Sequence, residues 1–362
     1  MTEIKPMSYQ TIDRSIFDTL SPWKDMRRCL LRDDGKVNYY LDANDSTKKE
    51  DGTAAVLTGA DGQVMVEIPK FWWKWEVGTV NGKRTFRWFI SDVAEDGFEV
   101  HPAFYRDRDG DGVAEEVDKR YFSAYLGNYN INSTISYMSS VRNTRPIASR
   151  AITEFRTKAQ ARGNGWGLID YHLLHAVQLL FLLEFGDFNA RAKIGRGYVD
   201  GNTISAITGS TSQYGNQSFG ETTGKQQMSY RGIEDFYGNC SYFIDGICVK
   251  SNVIAVGNVS FNNNAEGYSI LNDSLNNGGG FIDDFNNNLD FGFIPSKFVN
   301  VTSIGKINDR YIRNSSSVFM GMALGRDWFG NTWESGDYIG MFSLCAYQFS
   351  VTSPNLTSRI TY

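Results

Sequence analysis

Histidine is scarce in this chain: three in 362 residues, His101, His172 and His175, with none in the last third. A nucleophilic cysteine or serine wants such a base beside it, so that third lacks the parts for nucleophilic catalysis. Cysteine is almost as rare. Cys29, Cys240, Cys248 and Cys345 are widely spread except for one pair eight apart, which is no metal-ligand spacing. Free buried thiols from a reducing cytoplasm are the expectation, with a Cys240–Cys248 disulfide as the alternative. No Lys/Arg-rich run occurs, and a formal net charge of −5 leaves no basic field for nucleic acid or an anionic membrane. No apolar run is long enough to cross a bilayer. The most apolar stretch, Tyr171 to Phe185, contains His172, His175 and Glu184 and reads as a buried helix. The opening MTEIKPMSYQ lacks the basic and apolar regions of a secretory signal, so export by the general pathway is not expected.

What is present suits a folded, soluble protein. With 41% hydrophobic residues, the chain is long enough for two average domains or one large domain with an arm. Residues 1–58 hold a short amphipathic start (Ile12, Ile16, Phe17, Leu20) and a hairpin, CLLRDDGKVNYYL, turning at Asp34-Gly35. A polar linker, DANDSTKKEDGT, follows. This segment has little apolar surface of its own and reads as an attachment arm that packs on a neighbour or another copy. From Gln63 the pattern is sheet-like: QVMVEIPKFWWKWEV and RTFRWFISD flank Asn81-Gly82, a strong hairpin signal, with Phe71, Trp73 and Trp75 on one face. DGFEVHPAF and EVDKRYFSAYLG continue the strands. Two helices are expected, from a Ser149 cap to Arg162 before Gly163, and from an Asp170 cap to about Glu184. Gly, Asn, Ser and Thr then dominate to about Lys297, a long loop region held by short strands.

The stretch from Gly325 to Tyr362 mixes frame-like residues (Trp333, Gly336, Gly340, Phe342, Leu344, Ala346) with positions of free choice. These are Arg326, Asp327, Phe329, Asn331, Thr332, Asp337, Tyr338, Ser343, Cys345, Tyr347 and Phe349. Large aromatics with few rotatable bonds, interleaved with adaptable polar residues, are the composition of binding loops. Phe329, Tyr338, Tyr347 and Phe349 are the expected contact anchors, with Arg326, Asp327, Asn331 and Asp337 setting polarity.

The run GRDWFGNTWESGDYIGMFSLCAYQFSVTSPNLTSRITY resembles the C-terminus of phage tail-fibre and receptor-binding proteins with a C-type-lectin fold, the class that diversity-generating retroelements mutate. The frame here reads Gly325, Trp333, Gly336, Ile339, Gly340, Phe342, Ser358, Arg359 and Ile360, with Arg326 in place of a second Gly and Ile339 in place of an Ala. Adenine-directed mutation never yields Trp, Gln, Glu, Lys or Met. The candidate positions satisfy that rule, whereas Trp328, Glu334 and Gln348 do not and are left out. VMVEIPKFWWKW, GFEVHPAF, the helical pair EFRTKAQARGNGWGLIDYHLLHAVQLLFLLEFGDFNAR and SYRGIEDFYGNCSYFIDGI are similar to further blocks of the same family, from about Gln63 onward. One departure is that Cys240, Ser241, Tyr242 and Phe243, not a Trp-rich run, follow Gly238-Asn239.

The resemblance implies an α+β, C-type-lectin-like fold, two helices with antiparallel sheets and long loops, over residues 59–362 behind an arm at 1–58. It implies a variable region at 325–362 that attaches to a host cell-surface receptor, protein or glycan. It further implies a place in the virion tail, other tail proteins as partners, and a homo-oligomer, a trimer by family analogy, with no catalysis, nucleic acid or membrane insertion. A structural virion protein without a receptor is the alternative. A formylglycine-generating type of oxidase, whose Gly-Asn-Val-Trp-Glu-Trp block YRGIEDFYGNCSYFIDG resembles distantly, is the weaker one. Two other constellations stand apart. Asp107, Asp109, Asp111, Gly112 and Asp118 fall at positions one, three, five, six and twelve of a calcium loop, with the Val113 carbonyl at seven. The same residues also read as an acidic, solvated hairpin tip. His172 and His175, three apart on a helix, have a zinc-compatible spacing without an evident third ligand and read as core histidines, as does His101.

Overall fold

The turn at Asp34-Gly35 forms as its residues predict. Gly35 takes φ 75°, and the chain reverses between β1 (Arg27–Leu31) and β2 (Val37–Tyr40). The computed structural model describes residues 14–130, 136–200, 204–250, 253–274, 279–286, 289–299, 307, 309–313, 318–323 and 338–362. In it β1 also pairs along its length with β3 (Gln63–Pro69), from Arg27↔Glu67 to Leu31↔Gln63. That pairing corrects the expectation of a separate arm for residues 14–58; residues 1–13 lie outside the described residues. Phe17, Trp23, Met26, Leu30 and Leu31 enter the main core, which covers their apolar surface. The polar stretch at 42–53 is not a loose linker either: Ser46 is buried and accepts a hydrogen bond from Arg28.

The Asn81-Gly82 signal is realised as well. Both residues take positive φ, 51° and 73°, as a type I′ turn requires, and join β4 (Trp72–Val80) to β5 (Lys83–Ser91). A short β6 (Glu99–Val100) adds to β4. Phe71 and Trp73 are buried and Trp75 is half-buried, packed against the core. β7 (Tyr105–Arg106) and β8 (Glu115–Glu116) form a two-stranded ladder beneath the acidic loop, and β9 (Lys119–Ser123) pairs with β3.

The first helix, α1 (Ile152–Gln160), is shorter than expected. Ser149 does not cap it: that residue takes φ 61°, and the N-cap is Ala151. A short β10 (Gly167–Leu168) leads to α2 (Tyr171–Phe185), where the predicted cap holds. Asp170 Oδ1 accepts the Leu173 N–H at 3.0 Å, and Gly186 ends the helix in the left-handed conformation. Every residue of α2 is buried, its polar members His172, His175, Gln178 and Glu184 included, so the helix is enclosed on all sides and shows no solvent-facing polar stripe. A one-turn α3 (Ala190–Lys193) follows.

The Gly/Asn-rich region holds more strand than its composition suggests. β11 (Ser229–Tyr230) and β12 (Ile233–Glu234) form a small ladder. A nine-stranded sheet is then built from β13 (Ser241–Lys250), β14 (Val253–Val256), β15 (Ser269–Ser274), β16 (Gly279–Phe285), β17 (Pro295–Val299), β18 (Arg310–Arg313), β19 (Val318–Ala323), β20 (Leu344–Tyr347) and β21 (Leu356–Thr357). Its path is β15-β14-β13-β19-β20-β18-β16-β17, with β21 parallel to β13. The last strand, β22 (Ile360–Thr361), crosses back to the first sheet, whose order is β10-β22-β9-β3-β1-β2. The chain is therefore α+β, mostly antiparallel sheet with three helices among the described residues.

All three histidines are buried, and two of them meet where β6 joins α2. His101 Nδ1 accepts the Ala103 N–H at 3.1 Å, which places the proton of a neutral His101 on Nε2. Nε2 lies 2.9 Å from His175 Nδ1 and donates to it. Trp73, Phe71, Phe104 and Phe293 wall the pair. The nearest charges, Asp170 and Arg120, act on His172. Burial, then the His172 ring, pushes His175 down to about 3, and burial likewise holds His101 well below its usual range. An unfolded histidine takes up a proton near pH 6.5, so between 6.5 and about 3 the unfolded chain holds more protons and acid favours it. Relative to a His175→Gln variant, wild-type stability should fall as pH drops through this window, by up to about 1.4 kcal/mol per unit. Urea unfolding at several pH values measures this; parallel curves for the two proteins would refute the neutral pair.

Candidate binding surface

Asp309 is fully buried at the foot of the C-terminal segment. Its Oδ2 accepts the Phe342 N–H at 2.7 Å, and Arg191 of α3 approaches Oδ1 to 3.8 Å. Burial pushes its carboxyl up to about 6, against the opposing pull of Arg191 and the backbone donors. From α2, Gln178 Nε2 donates to the Met341 carbonyl at 2.8 Å. Ser343 Oγ accepts the Gly340 N–H at 3.0 Å and donates to the Tyr338 carbonyl at 3.2 Å. Phe342 closes the turn by packing among Phe188, Phe293 and Phe181, with ring centroids at 4.9, 5.3 and 6.1 Å. Full burial of such a ring contributes about 1.5–3 kcal/mol.

Beyond this turn, β20 pairs with β19 from Ala323↔Leu344 to Met320↔Tyr347. The chain then reaches β21 and Arg359, whose guanidinium is fully buried. Arg359 donates to the Ser123 carbonyl at 3.1 Å, the Asp235 carbonyl at 2.7 Å and the Glu234 carbonyl, and lies 4.9 Å from the Tyr242 ring. Arg359 thus clasps the Glu234-Asp235 block, while the Ser358 carbonyl accepts the Gly127 N–H and Ile360 pairs with Leu168 of β10.

Arg326, Asp327, Phe329, Asn331, Thr332 and Asp337 lie outside the described residues. Among the other candidates, Tyr338 is half-buried with its ring 4.9 Å from Phe281. Phe349 is 40% exposed. Tyr347 sits on β20 opposite Met320. Ser343 and Cys345 correct the sequence reading: they are 3% and 2% exposed, since Ser343 closes the turn and Cys345 packs in the sheet interior. All four cysteines are buried and free, so the alternative Cys240–Cys248 disulfide does not form.

The acidic loop draws together Asp107, Asp109 and Asp111, with one ligand atom from each within 4.8 Å of the others. Asp107 already accepts the Gly110 and Gly112 N–H groups at 2.6 and 2.9 Å, and Asp111 accepts that of Val113 at 2.7 Å. Asp118 is not part of the cluster. Its carboxylate pairs with Lys70 Nζ at 2.8 Å, and that hydrogen bond lowers its pKa.

Asp309, Gln178 and Arg191 carry no signal in the sequence. None lies in a local motif, and only the fold brings α2, α3 and residue 309 to one turn. No protein-family model matches the chain, and no curated protein matches it. Function is therefore argued from the site.

An ideal Cβ at Gly340 would stand 2.4 Å from Asp309 Oδ1 and 2.7 Å from Oδ2. Gly340→Ala should therefore cost about 1–3 kcal/mol, read by urea unfolding. A loss under about 0.5 kcal/mol would mean that Asp309 does not hold this turn closed.

Proposed function

We propose that this chain is the receptor-binding subunit of a phage-type tail. In this reading a C-type-lectin-like domain, which takes in β1 and β2 as well as the residues after 59, presents the loops of 325–362 to a protein or glycan on a host cell. The N-terminal part joins other tail proteins, and copies assemble as a homotrimer, multiplying weak contacts through effective concentration. Recognition, without catalysis, is the activity. Phe329, Tyr338, Tyr347 and Phe349 anchor the contact, and Arg326, Asp327, Asn331 and Asp337 set its polarity.

The observation that carries this reading is the contrast along the C-terminal segment. Residues 339–346 and 356–361 are buried and tied to α2, Asp309 and the Glu234-Asp235 block, while Phe349 and part of Tyr338 reach the surface. Such an arrangement lets contact residues be exchanged while stability stays with the buried flanks. A pair of helices among looped antiparallel sheets supports the lectin-like assignment.

Particles carrying Tyr338→Ala with Phe349→Ala should adsorb to host cells at least about tenfold more weakly, the scale of losing two aromatic contacts. Melting of the purified variant should stay within about 2 °C of wild type. Full adsorption by the double variant would favour the structural virion protein.

The same reading takes calcium at Asp107, Asp109 and Asp111 with the Val113 carbonyl, where it stiffens the loop. Three carboxylates on a sharp glycine turn suit a hard cation. Millimolar calcium should raise the melting temperature of wild type by a few degrees and leave Asp109→Asn unmoved. Identical melting of wild type with calcium and with chelator would leave the acidic, solvated tip.

A further inference from the structure

A cleft of about 550 Å³ opens between the 3-10 turns Arg14–Asp18 and Trp23–Asp25, Ala43-Asn44, and residues 216–218. Its floor is an ion-pair network, in which Arg231 Nη2 also reaches Asp18 Oδ1 at 3.0 Å and Arg14 approaches Glu184 Oε1 to 3.7 Å. Arg231 gives Nε to Glu184 Oε2 at 2.8 Å and Nη2 to Oε1 at 2.9 Å, and the Tyr230 hydroxyl adds a third bond at 3.0 Å. Both charged side chains are less than one-tenth exposed, so the floor is set before any ligand arrives.

The rim has unspent hydrogen-bonding capacity. Asn44 Oδ1 accepts from Gln217 Nε2 at 2.8 Å and Asn216 Oδ1 accepts the Arg28 N–H at 2.9 Å. Two amide NH₂ groups and the Gln217 carbonyl oxygen are left without a partner among the described residues. Ser218 Oγ is also unpartnered there. Lys24 is exposed, and Arg14, 47% exposed, lies over the Phe185 ring at 3.8 Å. Arg14, Lys24 and Arg231 against Asp18 and Glu184 leave one net positive charge along the lining, with Lys24 the cation that no ion pair among the described residues engages. The large apolar members of the lining, Trp23 and Met26, are 2% and 1% exposed, so they present little ring or thioether surface to a ligand. Amides offering a donor and an acceptor side by side match neighbouring ring hydroxyls, and Lys24 and Arg14 match a carboxylate.

We propose that this cleft binds an acidic saccharide, a short run of sugar rings carrying carboxylate groups. Asn44, Asn216 and Gln217 hold the hydroxyls, and Lys24 and Arg14 hold the acid. The site is separate from the C-terminal segment and does not depend on the role given to it.

Calorimetric titration of the full chain with a hyaluronan tetrasaccharide and a sialic acid tetramer tests this, with maltotetraose as the neutral control. Saturable binding of at least one acidic probe is expected. It should weaken about fivefold or more in Lys24→Gln and in Asn44→Ala with Gln217→Ala, and weaken with added salt. Tyr338→Ala with Phe349→Ala should leave it unchanged, which separates this site from the recognition surface. Lys24, Asn44 and Gln217 are exposed, so the variants should melt like wild type. Absence of saturable binding, equal affinity for maltotetraose, or full affinity in both cleft variants would overturn the proposal.

Discussion

The pairing of Arg120 with Asp170 is the contact on which most of this architecture depends. Both side chains are buried and 2.5 Å apart. Through Asp170 the pair caps α2; through Arg120 it reaches the Ala103 carbonyl at 2.6 Å and the Thr361 hydroxyl at 3.2 Å. One ion pair therefore fixes the start of the central helix, the turn that carries His101, and the last strand. Burial alone would raise the Asp170 carboxyl, but Arg120 and Arg106 outweigh it and hold it down to about 2. Breaking such a pair from one side leaves an uncompensated charge in the core, at a cost of about 3–5 kcal/mol.

Around that point, other buried polar groups join segments far apart in sequence. Arg28 gives Nε to the Gly232 carbonyl at 2.7 Å and Nη2 to Thr211 Oγ1 at 3.2 Å. Arg156 grips Asp245 at 2.5 and 3.1 Å, at an irregularity in β13 where pairing with β19 jumps from Ile244 to Cys248. The β4–β5 ribbon docks on the large sheet in the same way, with Arg84 on Asp284 at 2.7 Å and Trp75 Nε1 on Asp290 at 2.9 Å. Long loops keep their course because charged side chains stake them to strands.

These staples also mark where sequence reading stopped. Local grammar is legible: Asp34-Gly35 and Asn81-Gly82 mark hairpins, and Asp170 marks the start of a helix, because a turn or cap is decided by a few adjacent residues. The α+β class followed from that order of elements. The place of residues 14–58 was not legible, since the partner of β1 is β3, and nothing within either strand names the other. The C-terminal site divided the same way. Its mixed composition marked the segment, but Ser343 and Cys345 read as free positions because burial is a property of the neighbours, Tyr338, Gly340 and the strands of the large sheet. Calcium-loop spacing grouped Asp107, Asp109 and Asp111, while Asp118 was drawn off by Lys70, which sits 48 residues upstream.

The position of β22 makes the first sheet depend on residues that are synthesised late. This strand lies between β10 and β9, inside the first sheet and not at its edge, yet it is translated after residues 325–349. A ribosome that loses its reading frame within that stretch never makes the strand, and the sheet is left with an open slot and an unclasped Glu234-Asp235 block. Chains truncated or frameshifted upstream of β22 lack one inner strand of this sheet and are left to the cell's proteases.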